Sequence, residues 1–237
     1  MKPVIVIRLQ PGCDATVTAA RALGLDARGF PLFETRPVAW TPPAPDAFDA
    51  VLIGSANALR HAGPALGAYV GKPAYAVGTV TADAARHAGL DVVVAGSGGL
   101  QRVLAQVAPD HRQLLRLCGR ERVALDPPPG TAIEERVVYA SEPLPFPPDL
   151  EALLHRPAVV LLHSAEAAQR FAGLCDANHI ARAGLALAAL APRVARAAGS
   201  GWAALRSAPS PGDAALLALA QEMCQEARGV ILGDRRA

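Results

Sequence analysis

Apolar and polar positions form blocks along this chain, and the period of the pattern changes from block to block. "PVIVIR" (3–8) is a continuous β-branched run, the pattern of a strand covered on both faces. "LQPG" is turn-forming, and Asp14 is placed to cap a helix over 15–24 that stops at Gly24. "LDARGFPLFETRPVAW" (25–40) reads as extended, and "TPPAPD" as a proline-rich connector. Strands then alternate with helices. "FDAVLIGS" leads into "ANALRHAGPAL", "KPAYAVG" into "TVTADAARHAG", and "DVVVAG" into "SGGLQRVLAQVA". "RQLLRLCG" is a further strand and "IEERVVYASEPL" an extended segment, followed by a second proline-rich connector, "EPLPFPPD" (142–149). "PAVVLLHS", "LALAALA", "RVARAAG", "WAALRSA" and "PGDAALLALAQEM" resume the alternation. Strands alternating with helices imply parallel sheet. The last residues, "LGDRRA", read as a frayed tail.

The blocks also repeat. "GSANALRHAG" parallels "HSAEAAQRFAG", "VGTVTADAARHAG" parallels "LAPRVARAAGSG", and "DVVVAGSGGLQRVLAQV" parallels "WAALRSAPSPGDAALLALAQEM". Three strand–turn–helix units recur in one order, the mark of two similar α/β domains. One large sheet with coincidental likeness among alanine-rich helices is the alternative. The first copy, about 37 to 138, is flanked by the extended stretches at 28–39 and 133–142. The expectation is a discontinuous domain of residues 1–34 plus 143–237, with residues 35–142 inserted into it. The two extended stretches would pair as a hinge.

Composition narrows the function. Formal charge is +2 over 237 residues, from 23 basic and 21 acidic side chains, with no Lys/Arg run. That excludes a nucleic-acid footprint. The four cysteines and six histidines are dispersed, with neither CxxC nor HExxH, so no structural metal or disulfide framework is expected. The apolar part of the first strand is too short for a signal peptide, and the run near 183–192 is too short to span a bilayer. The expectation is a soluble cytoplasmic monomer with no cofactor and no membrane or nucleic-acid partner. "GSGGL" (96–100) invites a nucleotide reading, but position 101 is Gln, so GxGxxG is not completed, and no GK[ST] occurs.

The ordered set "VIVIRLQPG", "AVLIGSANAL", "YAVGTVTADAARHAGL", "LLRLCGRERVAL", "ERVVYAS", "LHSAEAAQRF" and "LAPRVARAAGSGW" resembles the uroporphyrinogen-III synthase family over nearly the whole chain. Each piece is a common strand–turn; their order and spacing carry the likeness. "IRL" stands where the family has Thr-Arg-Pro; Gly54, His163 and Val194 stand where the family often has Thr, and Ala191 where Gly or Ser is usual. The resemblance implies two flavodoxin-like parallel-sheet domains. It also implies cofactor-free cyclisation and dehydration of hydroxymethylbilane, a linear tetrapyrrole, with inversion of the last ring through a spiro intermediate, in a cleft between the domains. A tetrapyrrole-binding member that does not cyclise, or a two-domain nucleotide-using enzyme, is the alternative.

The substrate has eight carboxylates and a hydroxymethyl leaving group. Strand-end turns entering helices, at 54–57, 78–82, 96–99, 118–120, 163–166 and 191–194, are candidate anion sites. They place Ser55, Ala56, Asn57, Thr79, Thr81, Gly119, Arg120, Ser164 and Arg193, with Arg8 after the first strand, as substrate-binding candidates. Ser55, Ser164, Thr79 and Thr81 read equally as helix caps, and each arginine as a solvated surface cation. Tyr139 is the catalytic candidate: a phenol keeps its proton at neutral pH, and the resemblance puts it at the site, although a packing role fits its sequence as well. Cys118 reads as a small buried residue.

Overall fold

The computed structural model describes residues 2–233, with side chains through residue 225. Residues 234–237 of the expected tail lie outside the described residues. The chain divides into two compact units: Met1–Glu34 with Pro143–Ala237, and Thr35–Glu142.

The first unit contains β1 (Val4–Val6), α1 (Gly12–Ala22) and β2 (Ala27–Gly29), and the chain leaves it along β3 (Phe33–Pro37). The second unit contains β4 (Ala50–Ile53), α2 (Ala56–His61), β5 (Pro73–Val77), α3 (Thr79–His87), β6 (Asp91–Gly96), α4 (Leu100–Leu104), β7 (Gln113–Gly119) and β8 (Ala132–Pro143). The first unit is completed by α5 (Pro148–Leu154), β9 (Ala158–Leu162), α6 (Ala165–Ala177), β10 (Leu185–Ala189), α7 (Pro192–Ala198), β11 (Ala204–Ser207) and α8 (Asp213–Gly233).

Unit 1 is a five-stranded sheet in the order β11-β10-β9-β1-β2, with parallel pairing throughout. Numbered along its own chain, that order is the flavodoxin-like 2-1-3-4-5. Unit 2 has the order β3-β8-β7-β4-β5-β6, and β8 through β6 pair in parallel. Its five parallel strands take the same spatial order from a circularly shifted connectivity, because this unit begins at the third strand position and ends at the second. The sequence repeat therefore matches β4-β5-β6 with β9-β10-β11. The expectation of two similar parallel-sheet domains holds.

The central strands read as unbroken apolar runs because helices cover both faces. In unit 1, one face packs α5, α6 and α7 through Leu150, Phe171, Cys175 and Val194. The other packs α1 and α8 through Cys13, Val17, Leu216 and Ala220. In unit 2, α2 and α3 cover one face through Ala58, Leu59 and Ala85. The opposite face packs α4 through Val103 and Leu104, joined by Val107 and Leu125 from the loops.

Several local expectations change. Asp14 is not a cap: α1 begins at Gly12 behind Pro11, and Asp14 lies in its first turn, where a carboxylate still favours the helix dipole. The helix ends at Ala22, and Gly24 follows at φ +77°, a left-handed stop. The helix expected over "ANALRHAGPAL" stops at His61 and continues as a 3-10 turn over Gly63–Tyr69, since Pro64 cannot donate to the α-helical ladder. The "SGGLQRVLAQVA" helix shortens to five residues. The second proline-rich connector holds the start of α5, with Pro148 at a position where a missing N–H costs nothing.

Phe171 is fully buried on α6 and stacks on Trp202 at 5.7 Å between ring centroids. Phe171→Ala is expected to destabilise unit 1 by about 3–5 kcal/mol, the usual range for a buried aromatic. Urea unfolding checks this, with a lowered midpoint and an unchanged slope as the expected signature.

Candidate active site

Parallel strands put all their carboxyl ends at one edge of each sheet. Ligands bind α/β sheets outside that edge, where the strand order reverses. The reversal falls between β1 and β9 in unit 1 and between β7 and β4 in unit 2.

In unit 1 this position is occupied by the protein's own charges. Arg8 follows β1, His163 follows β9, and Asp213 opens α8. Arg8 Nη1 donates to both Asp213 oxygens at 2.9 Å. Thr16 on α1 donates its hydroxyl to Asp213 Oδ2 at 2.6 Å. The guanidinium expected to hold substrate is thus engaged with an internal carboxylate. His163 Nε2 lies 3.2 Å from Asp213 Oδ1, yet neither ring nitrogen makes an aligned hydrogen bond. Burial pushes His163 down to about 4 and the Arg8 charge adds to the effect, against a smaller pull from Asp213. The imidazole is therefore neutral at pH 7. Ser164 caps α6, its Oγ accepting from the Ala167 N–H at 3.1 Å. Arg193 is exposed in the first turn of α7.

In unit 2 the reversal is open. A cavity of about 410 Å³ there is lined by Ser55, Gly99, Arg116, Gly119, Arg122 and Tyr139, among others. Ser55 caps α2 by accepting from the Asn57 N–H at 3.2 Å. Gly119 ends β7 opposite Tyr139 on β8. A Cβ at Gly119 would stand 2.7 Å from the phenol ring, so the half-buried ring lies directly on the glycine backbone. The His61 ring faces Tyr139 at 6.0 Å between centroids, and His61 Nε2 is 2.9 Å from Thr35 Oγ1.

The structure thus brings Ser55, Gly119 and Tyr139 to one cavity. Ala56 is buried as the first residue of α2, and the Asn57 carboxamide oxygen accepts from Arg60 at 2.8 Å. Thr79 is exposed at the start of α3, whereas Thr81 points into the core at 5% exposure. Arg120 pairs with Glu142 at 2.9 Å on the surface. Cys118 is buried, and burial pushes its thiol up, so the thiol stays protonated at neutral pH. Burial likewise takes Cys13 to about 11 and Cys175 to about 12.

Sequence reasoning missed Arg116, Arg122 and Glu135. Arg116 is 4% exposed and donates to Glu135 Oε1 at 2.6 Å, while Arg122 Nε donates to Oε2 at 2.6 Å. Burial raises Glu135, but the two guanidiniums, Arg122 foremost, outweigh it and hold its carboxyl below the usual range. The one sequence signal was an arginine inside the apolar run "LLRLC". Among the described residues, no three His, Cys, Asp or Glu side chains gather as a metal site, and no helix is long and apolar enough to cross a membrane.

Two doubly wound parallel sheets, each with polar turns along its strand carboxyl ends, define a two-domain flavodoxin-like α/β protein. The HEM4 family model, uroporphyrinogen-III synthase HemD, matches residues 14–218. The chain belongs to the uroporphyrinogen-III synthase family, cyclising lyases that convert hydroxymethylbilane to uroporphyrinogen III. The uroporphyrinogen-III synthetase of Helicobacter pylori has the same fold, with a TM-score of 0.62 at 17% identity over 94% of this chain and 100% of that one. A mutant uroporphyrinogen III synthase of Thermus thermophilus matches with a TM-score of 0.50 at 17% identity, over 95% and 100%. No curated protein matches the chain by sequence.

His163 gives the fold a pH dependence with a definite sign. Its folded value, about 4, lies below the ordinary 6.5, so the unfolded chain binds the proton first. Its contribution is level above pH 6.5, falls as pH drops from 6.5 to about 4, and is level again below, for a total loss of up to about 3 kcal/mol. Thermal unfolding across that window should show the decline, and His163→Gln should flatten it.

Proposed function

We propose that this chain is a working uroporphyrinogen-III synthase, a monomer acting in the cytoplasm, in which Tyr139 protonates the departing hydroxyl of hydroxymethylbilane. The observation that carries this reading is the Tyr139 ring at the wall of the 410 Å³ cavity, seated on Gly119 at the carboxyl edge of unit 2. The phenol gives its proton to the hydroxyl, which leaves as water. The attacking pyrrole carbon already carries a methylene bridge and has no proton to lose. That bridge bond breaks, the ring re-bonds through its unsubstituted α-carbon, and the proton lost from that carbon restores the phenol. No net proton is consumed.

The carboxylates need donors that stay fixed while the chain curls, because alignment of the two ends is worth more than any single contact. Ser55 and Ser164 each accept a backbone N–H as a cap, which leaves the hydroxyl proton to donate to a carboxylate. On unit 2 the neighbouring backbone at Ala56, Gly119 and Thr79 extends this set, with Arg120, exposed although paired with Glu142; on unit 1 the exposed Arg193 does so. Thr81 and Arg8 are not part of it, one being buried in the core and the other held by Asp213.

The test supplies freshly made hydroxymethylbilane, oxidises the product and separates type I from type III isomers. Type III above the enzyme-free control is the expected result; type I alone from folded protein would overturn the reading. Tyr139→Phe should lower the rate roughly 100-fold, the scale of a lost general acid, with its melting temperature kept. A retained rate would assign the phenol to packing. Sedimentation velocity checks the monomer.

A further inference from the structure

The β7–β8 crossover of unit 2 differs from its counterpart in unit 1. Ser55 and Ser164 cap equivalent helices, and counting back from them aligns Leu52 with Leu161. Arg116 pairs with Leu52 across β7 and β4, and Val6 pairs with Leu161 across β1 and β9. Arg116 thus stands where unit 1 has Val6, which packs in one cluster with Cys13 and Val17 of α1. Unit 2 has no such helix: residues 120–131 cross as a loop, and the cavity lies beneath.

An apolar side chain at 116 would satisfy the core, as in unit 1. A buried guanidinium is costly unless paired, and this one is only partly satisfied. Its Nη1 donates to Glu135 and its Nη2 to the Val123 carbonyl at 3.0 Å, but its Nε is buried without an acceptor. Glu135 also takes the Arg122 Nε, and Arg122 Nη1 donates to the Arg120 carbonyl at 2.9 Å. Arg122 Nη2 has no acceptor among the described residues. Two cations share one carboxylate at the cavity wall, leaving an excess positive charge held on a fixed frame. Glu121 also lines that wall, and it and Arg122 are both exposed, so solvent screens the two charges alike and the anchored geometry of Arg122 is what sets it apart.

We propose that Arg122, positioned by Glu135 and Arg116, is a carboxylate-binding subsite that takes one acidic side chain of the tetrapyrrole in the unit 2 cavity. This rests on the functional reading above. A planar guanidinium with two edges already anchored loses little freedom when it meets a carboxylate. Arg116 is a positioning residue that holds Glu135 and the strap at Val123 in place of the missing helix.

The experiment titrates uroporphyrin III, a stable octacarboxylate, against the full chain by fluorescence, beside the isomer assay. Arg122→Gln and Arg122→Met should each weaken binding about tenfold, the scale of a lost charge-assisted hydrogen bond. Both should raise KM for hydroxymethylbilane more than they lower kcat. Arg122→Lys should recover part of the affinity, and Glu121→Gln should not weaken it. Wild-type affinity in either folded Arg122 variant would overturn the proposal and leave the arginine as a loop tether. Absence of saturable binding to the wild type would overturn it too. If the wild type binds uroporphyrin but makes no type III isomer, the reaction assignment falls and the titration still decides the subsite.

Discussion

The central parallel pair of each domain, β1 with β9 and β7 with β4, sets the geometry of everything around it. These strands are buried on both faces, so their backbone polar groups find partners only in neighbouring strands. Parallel pairing forces the chain to return across a face, and the two strands of each pair send it to opposite sides. Between them the carboxyl edge is left without a crossing connection. Arg8 and His163 lie at that gap in one domain, and Ser55 and Gly119 in the other, because of this pairing.

The same gap has two physical outcomes. In unit 1, helices α1 and α8 close over the sheet, and Asp213 on α8 draws in Arg8, Thr16 and His163. The polar groups are consumed internally, and the buried imidazole stays neutral because ionising it there would cost more than Asp213 returns. In unit 2, a loop replaces the helix, α4 and Leu125 of that loop cover the sheet face, and a cavity remains. A glycine at 119 lets the Tyr139 ring lie against the backbone at its wall. Two domains of one fold thus separate a closed electrostatic knot from an open polar site.

Strands and their order of repeat were legible because a β-branched run or a strand-to-helix period is a local pattern. "PVIVIR" and "AVVLL" show burial on both faces without knowledge of what covers them. Ser55 and Ser164 were legible as caps for the same reason, since a cap needs only the next helical turn. Prolines misled in both directions: Pro148 opens a helix that read as connector, and Pro64 ends one that read as continuous. Thr81 looked like an edge hydroxyl, but two residues along a helix rotate a side chain through about half a turn, here into the core.

The site divides along the same line. Tyr139 came from likeness to a family; nothing in its neighbours distinguishes it from a packing tyrosine. Arg116 carried a visible anomaly, a charge within an apolar strand, but its meaning depends on Glu135, brought beside it by strand register. Asp213 meets Arg8 only because α8 closes over β1 after the other domain has been threaded between them in sequence. The sequence by itself determined most of the strands and helices, that the units repeat, and the family. Only the tertiary structure decided which charges are spent on one another and which face a cavity, because those pairings depend on register and helix placement across long separations, which local periodicity does not encode.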